Sequence, residues 1–362
     1  MKTHKQDTLQ PFSKEGMIIS DAPSLGEWKA LYDAAIEFRN LAPWQWMYDD
    51  ALFAIEDPDT GQIGYCSVMG ALGEFHGLAV FPGEAGWRSL HRLMQDNEPS
   101  SAAEEERVYG QFALIASFES SRDVTEQDRA VMKQLGLRFR GEIAWPVFRS
   151  HRPGYLPWYL TRDEAKLLTV ALSQATVVAS RIRQQSDLLE PPQPNQILTR
   201  RRVKDGTSFE WIDVWTETPQ YTLSASEIPP IRVDEVILKR IRRQETRRGE
   251  WEVDIFYAPF AVEEGERPMF PRMLMCVDHA SGIVLQVHAA AHETYAQESV
   301  DKLLETMLAG GCPATFLFQR PEVGTLLRPI AEGLGIELRQ EDWLPALEEA
   351  REALEQGLGG KG

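Results

Sequence analysis

The chain has no closely spaced pair of cysteines. Its three, Cys66, Cys276 and Cys312, stand far apart in apolar surroundings, which excludes a zinc ribbon or a disulfide framework and reads as buried, reduced thiols. No uninterrupted apolar run approaches the ~18–20 residues that span a bilayer. The polar stretch from Met1 to about Ala22 lacks the apolar core of a signal peptide, so a cytoplasmic location is expected. Basic charge is scarce as well: 38 Lys and Arg against 55 Asp and Glu give a net charge of −17. Such a chain is not built to coat a phosphate backbone non-specifically, because that binding needs clustered cations. Glycine-rich phosphate loops, GxSxG and Cys–His nucleophile patterns are missing from every strand–turn–helix context that would support them.

What is present fits a folded protein with more than one core. The 362 residues are 43% hydrophobic and 26% charged, and a chain of this length ordinarily divides into domains. After a flexible N-terminal tail over 1–23, Ser24 and Glu27 have capping-box spacing ahead of an amphipathic helix that Pro43 ends. "ALFAIED", "QIGYCSVM" and "FHGLAVF" read as strands, with a turn at "PDTG". A helix over "GWRSLHRLMQ" and an acidic loop "DNEPSSAAEEE" follow. Then come a strand "QFALIASF", a helix "TEQDRAVMKQLG", a strand "LRFRGEIAWPVFRS" and a long helix capped by Thr161 and Glu164. Residues 24–185 are thus expected to form an α+β domain with an antiparallel sheet. A proline-rich linker spans 186–196. Residues 197–248 hold a strand hairpin turning at Asp205-Gly206 and a basic amphipathic helix. Residues 249–356 run strand–strand–strand–helix–strand–helix–strand–helix, an α/β domain on a mixed sheet, before a glycine-rich tail over 357–362.

That last order resembles the ribonuclease H-like fold, and its motifs resemble the integrase and transposase branch. "WEVDIFY" places Asp254 on the first strand, and "VDHASGIVLQV" supplies Asp278 and Ser281 between the second and third. "FLFQRPEVGTLLRPIAEGLGIEL" keeps the shape of the fourth strand and its following helix. The resemblance implies a second catalytic aspartate at the end of that strand, where this chain has Gln319 and Arg320. Two-metal phosphoryl chemistry needs converging carboxylates, and an arginine there competes with the metal, so the domain is expected to be inactive and to need no cofactor. The alternative is a Mg²⁺-dependent nuclease or nucleotidyl-transfer enzyme using Asp254 with Asp278, Glu341 and Glu348. The chain as a whole resembles an uncharacterised bacterial family of domains of unknown function, through "PWQWMYDDALFAIEDPDTGQIGYCSVMGALGE" and "AWPVFRSHRPGYLPWYLTRDEA".

Three clusters are candidates for binding a small ligand or a protein partner through the N-terminal domain. Trp44 and Trp46 beside Asp49 and Asp50 could form a stacking platform with hydrogen-bonding acids, or simply close a sheet edge. Glu74 and His76 share one side of a strand. Arg149, His151, Arg152, Tyr155 and Trp158 interleave cations with aromatics in a Pro/Gly-rich loop, a mixture suited to an anion or a base, or to a packed connector whose arginines pair with the domain's own Asp and Glu. "TRRRVK" and "KRIRRQETRR" are basic, but 11 Lys and Arg against 9 Asp and Glu from Ile197 to Glu250 leave only +2. A solvated basic face explains that balance as well as nucleic acid does.

Overall fold

A computed structural model of the chain describes residues 21–73, 75–94, 101–220, 230–244, 249–263 and 265–359. They divide into two compact units.

In the first unit, helix α1 (Leu25–Leu41) starts where Ser24 and Glu27 cap each other. It stops at Ala42, whose φ of 53° turns the chain into Pro43. Strands β1 (Phe53–Glu56), β2 (Ile63–Met69) and β3 (Gly77–Pro82) meander, and Gly61 supplies positive φ in the first turn. Helix α2 (Gly83–Met94) comes next. After α3 (Ser101–Tyr109), which belongs to the second unit, the chain continues through β4 (Ala113–Glu119), α4 (Glu126–Gln134), β5 (Trp145–His151) and α5 (Arg162–Ile182). The strand expected from Leu137 begins only at Trp145, beyond a turn at Gly141.

Hairpin strands β6 (Gln196–Asp205) and β7 (Ser208–Glu217) complete a seven-stranded sheet ordered β5-β4-β3-β2-β1-β6-β7. Every pairing is antiparallel except that of β1 with β6. The hairpin beyond the proline-rich segment therefore extends the first sheet instead of standing apart from it. Side chains alternate across the sheet: Phe53, Ile55, Val68 and Val80 face a core with α1 and α5, and Ala54, Tyr65, Ala79 and Phe81 face a smaller one with Trp87 and Leu90 of α2. With both faces covered, the central strands read as continuous apolar runs.

In the second unit, helix α6 (Glu235–Arg242) precedes β8 (Glu250–Tyr257), β9 (Arg272–Asp278) and β10 (Val284–Ala290). Helix α7 (Tyr295–Gly310), strand β11 (Thr315–Phe318), helix α8 (Pro321–Leu334), strand β12 (Glu337–Gln340) and helix α9 (Pro345–Gly359) follow. The sheet order is β10-β9-β8-β11-β12: the first three strands are antiparallel, and β11 and β12 run parallel to β8. This is the ribonuclease H-like order. Helices α6, α7 and α8 cover one face, while Leu347 and Leu354 of α9 pack on the other. The acidic loop expected after α2 contains helix α3 within this unit. No helix among the described residues is long and apolar enough to cross a membrane. Cys66, Cys276 and Cys312 are buried free thiols.

Candidate functional site

The position that the ribonuclease H-like resemblance marks as catalytic lies on β8. Antiparallel register pairs Asp254 with Met275 and Trp251 with Asp278. Paired residues share a face of the sheet, and positions three apart on one strand point to opposite faces. Asp278 therefore faces away from Asp254, roughly 10 Å along the sheet at ~3.3 Å per residue. Its carboxylate accepts from the Ser281 backbone N–H and hydroxyl, which hold it below the ordinary carboxylate range and fix the β9–β10 turn. Glu341, half-buried just past β12, lies 3.6 Å from Arg339, and Glu348 occupies the first turn of α9. The four expected carboxylates do not meet.

What meets Asp254 is Arg320. Parallel pairing of Leu317 with Glu252 carries the end of β11 level with Asp254, and Arg320 follows as the residue preceding α8. Its Nε lies 3.1 Å from Asp254 Oδ1, with the side chains only 3% and 4% exposed. On the far side, Arg320 Nη2 donates to Glu105 Oε2 of α3 at 2.9 Å, and Arg351 of α9 donates to Glu105 Oε1. The Arg351 guanidinium covers the Phe256 ring at 4.3 Å. Burial pushes the Asp254 carboxyl above its ordinary value, against the pull of Arg320. Burial also works against the Arg320 charge, but Asp254 and Glu105 more than offset it and raise the guanidinium pKa.

The Mg²⁺ that the fold family implies does not fit this arrangement. A cation at Asp254 would share the space of a buried guanidinium, and Asp254's neighbours on its own face are already committed. Glu252, fully buried, accepts from the Leu347 backbone N–H at 2.6 Å, which caps α9, and lies 2.5 Å from His279 Nδ1. Among the described residues, no three His, Cys, Asp or Glu side chains converge as a metal site would. Sequence reasoning missed Glu105, Arg351 and Glu252. The acidic run at 104–106 is visible, but nothing local shows that its middle member is buried.

In the first unit the binding candidates are placed as follows. Trp44 packs edge-on against His76 at 5.2 Å and against Phe38 at 6.0 Å. Trp46 donates to the Ala179 carbonyl at 3.1 Å, and Arg183 covers its ring at 4.6 Å. Asp49 and Asp50 have exposed side chains, and Asp49 contributes its carbonyl to the Ser67 hydroxyl. Glu74 lies outside the described residues. Arg149 is clamped by both oxygens of Asp128, at 3.0 and 2.7 Å, and stacks over Tyr159 at 4.8 Å. The Ser150 and Trp158 backbones bridge across the loop. His151 and Ser150 line a cavity of about 170 Å³ with Gln62, Leu114 and Glu164. Arg152 and Tyr155 belong to the second unit, where Tyr155 donates to Glu293 at 2.9 Å. The loop's residues are thus divided between the two units.

No curated protein matches the sequence. Two solved structures of the HTLV-2 integrase catalytic core domain in complex with magnesium are similar at 15% identity and TM-score 0.25. Each match covers 32% of this chain, and 72% of the dimeric form or 71% of the trimeric form. A simian T-cell lymphotropic virus intasome in complex with the PP2A regulatory subunit B56 gamma is similar at 19% identity and TM-score 0.26. There 32% of this chain covers 41% of that one, less than half its length. Residues 28–200 match the model of a domain of unknown function, DUF7309, and residues 237–355 match that of a second, DUF6930.

Proposed function

We propose that this is a non-catalytic binding protein. Its second unit acts as a ribonuclease H-like scaffold, and its first unit carries the surface for a partner or small ligand. The observation that supports the reading is the buried pair of Arg320 with Asp254, reinforced by Glu105 and Arg351. A carboxylate held by a guanidinium in low dielectric has its charge compensated by the protein itself, and hydrolytic phosphoryl transfer requires that charge to hold metal ions. Asp254 is accordingly a structural residue here.

Calorimetric titration of Mg²⁺ and Mn²⁺ into the wild type and Asp254→Ala, together with cleavage assays on single- and double-stranded substrates, tests this. The expected result is no Asp254-dependent heat and no cleavage. A saturable metal site that Asp254→Ala abolishes, accompanied by cleavage, would overturn the reading in favour of a nuclease.

A further inference from the structure

The β6–β7 hairpin carries more chemistry than its place in the sheet requires. Strand β1 pairs with β6 only at Thr199 and Arg200, and its last residue, Glu56, accepts from Arg201, so the four residues from Arg202 to Asp205, with their partners on β7, project beyond it. Register sets Arg202 opposite Trp211 and Lys204 opposite Phe209. Since paired residues share a face, two cations and two aromatics lie together on one side of the projecting arm. Arg202 and Lys204 are exposed and Phe209 is 59% exposed, while Trp211 is half-buried. Neither aromatic belongs to a hydrophobic core, unlike Trp215 nearer the hairpin base. The Arg202 guanidinium rests 4.0 Å from the Phe209 ring centroid. Neither cation pairs with a carboxylate among the described residues.

Acidic residues are sorted away from this surface. Glu210 pairs with Val203 and Asp205 with Ser208, which places both on the opposite face. Asp213 does share the cationic face, but Arg181 and Arg200 hold its two oxygens. The near-neutral charge count of the segment therefore conceals a polarised arm. Its two-residue Gly206-Thr207 turn, with φ of 58° at Gly206, keeps the strands in register.

We infer that this face binds single-stranded nucleic acid, bases stacking on Trp211 and Phe209 and phosphates pairing with Arg202 and Lys204. Stacking on aromatics requires exposed base faces, which a duplex does not offer, and it tolerates any sequence. The two rings stand roughly 6.6 Å apart along the strand at ~3.3 Å per residue, a step open enough for successive unstacked bases. With about two phosphates neutralised, binding should be weak and fall only gently with salt, with a log–log slope near −1.4 at ~0.7 per contact. The inference gives a partner class to the binding role proposed for the first unit and does not depend on whether the second unit is silent.

The test is fluorescence anisotropy of a labelled oligothymidylate with the full chain, in low and moderate salt. Trp211→Ala should weaken binding about tenfold or more, and the charge reversal Arg202→Glu with Lys204→Glu should abolish it, with circular dichroism and melting unchanged in both. Absence of binding by the wild type, binding undiminished in these variants, or equal affinity for a matched duplex would overturn the inference. Equal binding of polyglutamate would also overturn it, by making the arm a site for acidic protein. Cleavage of the oligonucleotide with Mn²⁺ would instead contradict the scaffold reading of the second unit, so failure of either reading is recognised separately.

Discussion

Arg320 Nε lies 3.1 Å from Asp254 Oδ1, joining the first strand of the ribonuclease H-like sheet to the residue that precedes α8. Both groups are shielded from water, so removing one leaves the other as an uncompensated buried charge. Arg320→Ala should destabilise the second unit by about 3–5 kcal/mol. Urea unfolding followed by fluorescence of the buried Trp251 measures this; a loss below ~1 kcal/mol would mean the pair is solvated and dispensable.

Glu105 ties α3 to the same cluster through two arginines. Glu105→Ala should release the helix over Ser101–Tyr109 before the unit itself unfolds. Hydrogen exchange would register this as loss of protection confined to α3. Unchanged protection would assign the docking of the helix to Tyr109, which packs on Phe270 at 4.5 Å.

Asp213 provides a pH test. The Arg181 hydrogen bond foremost, then Arg200, hold its carboxyl below the ordinary range. A folded pKa below the unfolded value of ~3.9 gives stability that is present above about pH 4 and lost as pH falls through the folded value. Asp213→Asn should therefore flatten the acid side of the stability profile and leave its slope above about pH 5 unchanged. Urea midpoints collected across that range decide it.

Arg149, a candidate ligand-binding cation, has its guanidinium committed to Asp128. Asp128, which it clamps, also completes the capping box of α4 with Thr125. Arg149→Ala should cost about 3 kcal/mol, and Thr125→Ala about 1 kcal/mol through loss of the cap. If Arg149→Ala left stability intact, its role would have to be sought in binding.

The sequence disclosed what is local. The Ser24–Glu27 and Thr161–Glu164 caps, the Gly61 turn and the meander that opens on the Asp254 strand each depend on neighbours close in the chain, and all are present. Placing Arg320 at the end of the fourth strand was legible for the same reason: "FLFQR" carries its own register. Helix α3 was not, because its segment has no apolar period and Glu105 finds its partners 215 and 246 residues away. The parallel docking of β6 beside β1 is likewise a long-range pairing that no local pattern announces. The loop from Arg149 to Trp158 is ambiguous by composition, because cations among aromatics describe a ligand site and a self-satisfied connector equally; the pairing of Arg149 with Asp128 comes from the fold and not from any local pattern.

The most direct test of the central claim is a double-mutant cycle between Asp254 and Arg320, using Asp254→Asn, Arg320→Met and the combination, measured by urea unfolding with and without Mn²⁺. A structural ion pair predicts a coupling energy of at least ~1.5 kcal/mol, indifferent to the metal. Coupling near zero, or stabilisation of the wild type by Mn²⁺ that Asp254→Asn removes, would contradict it.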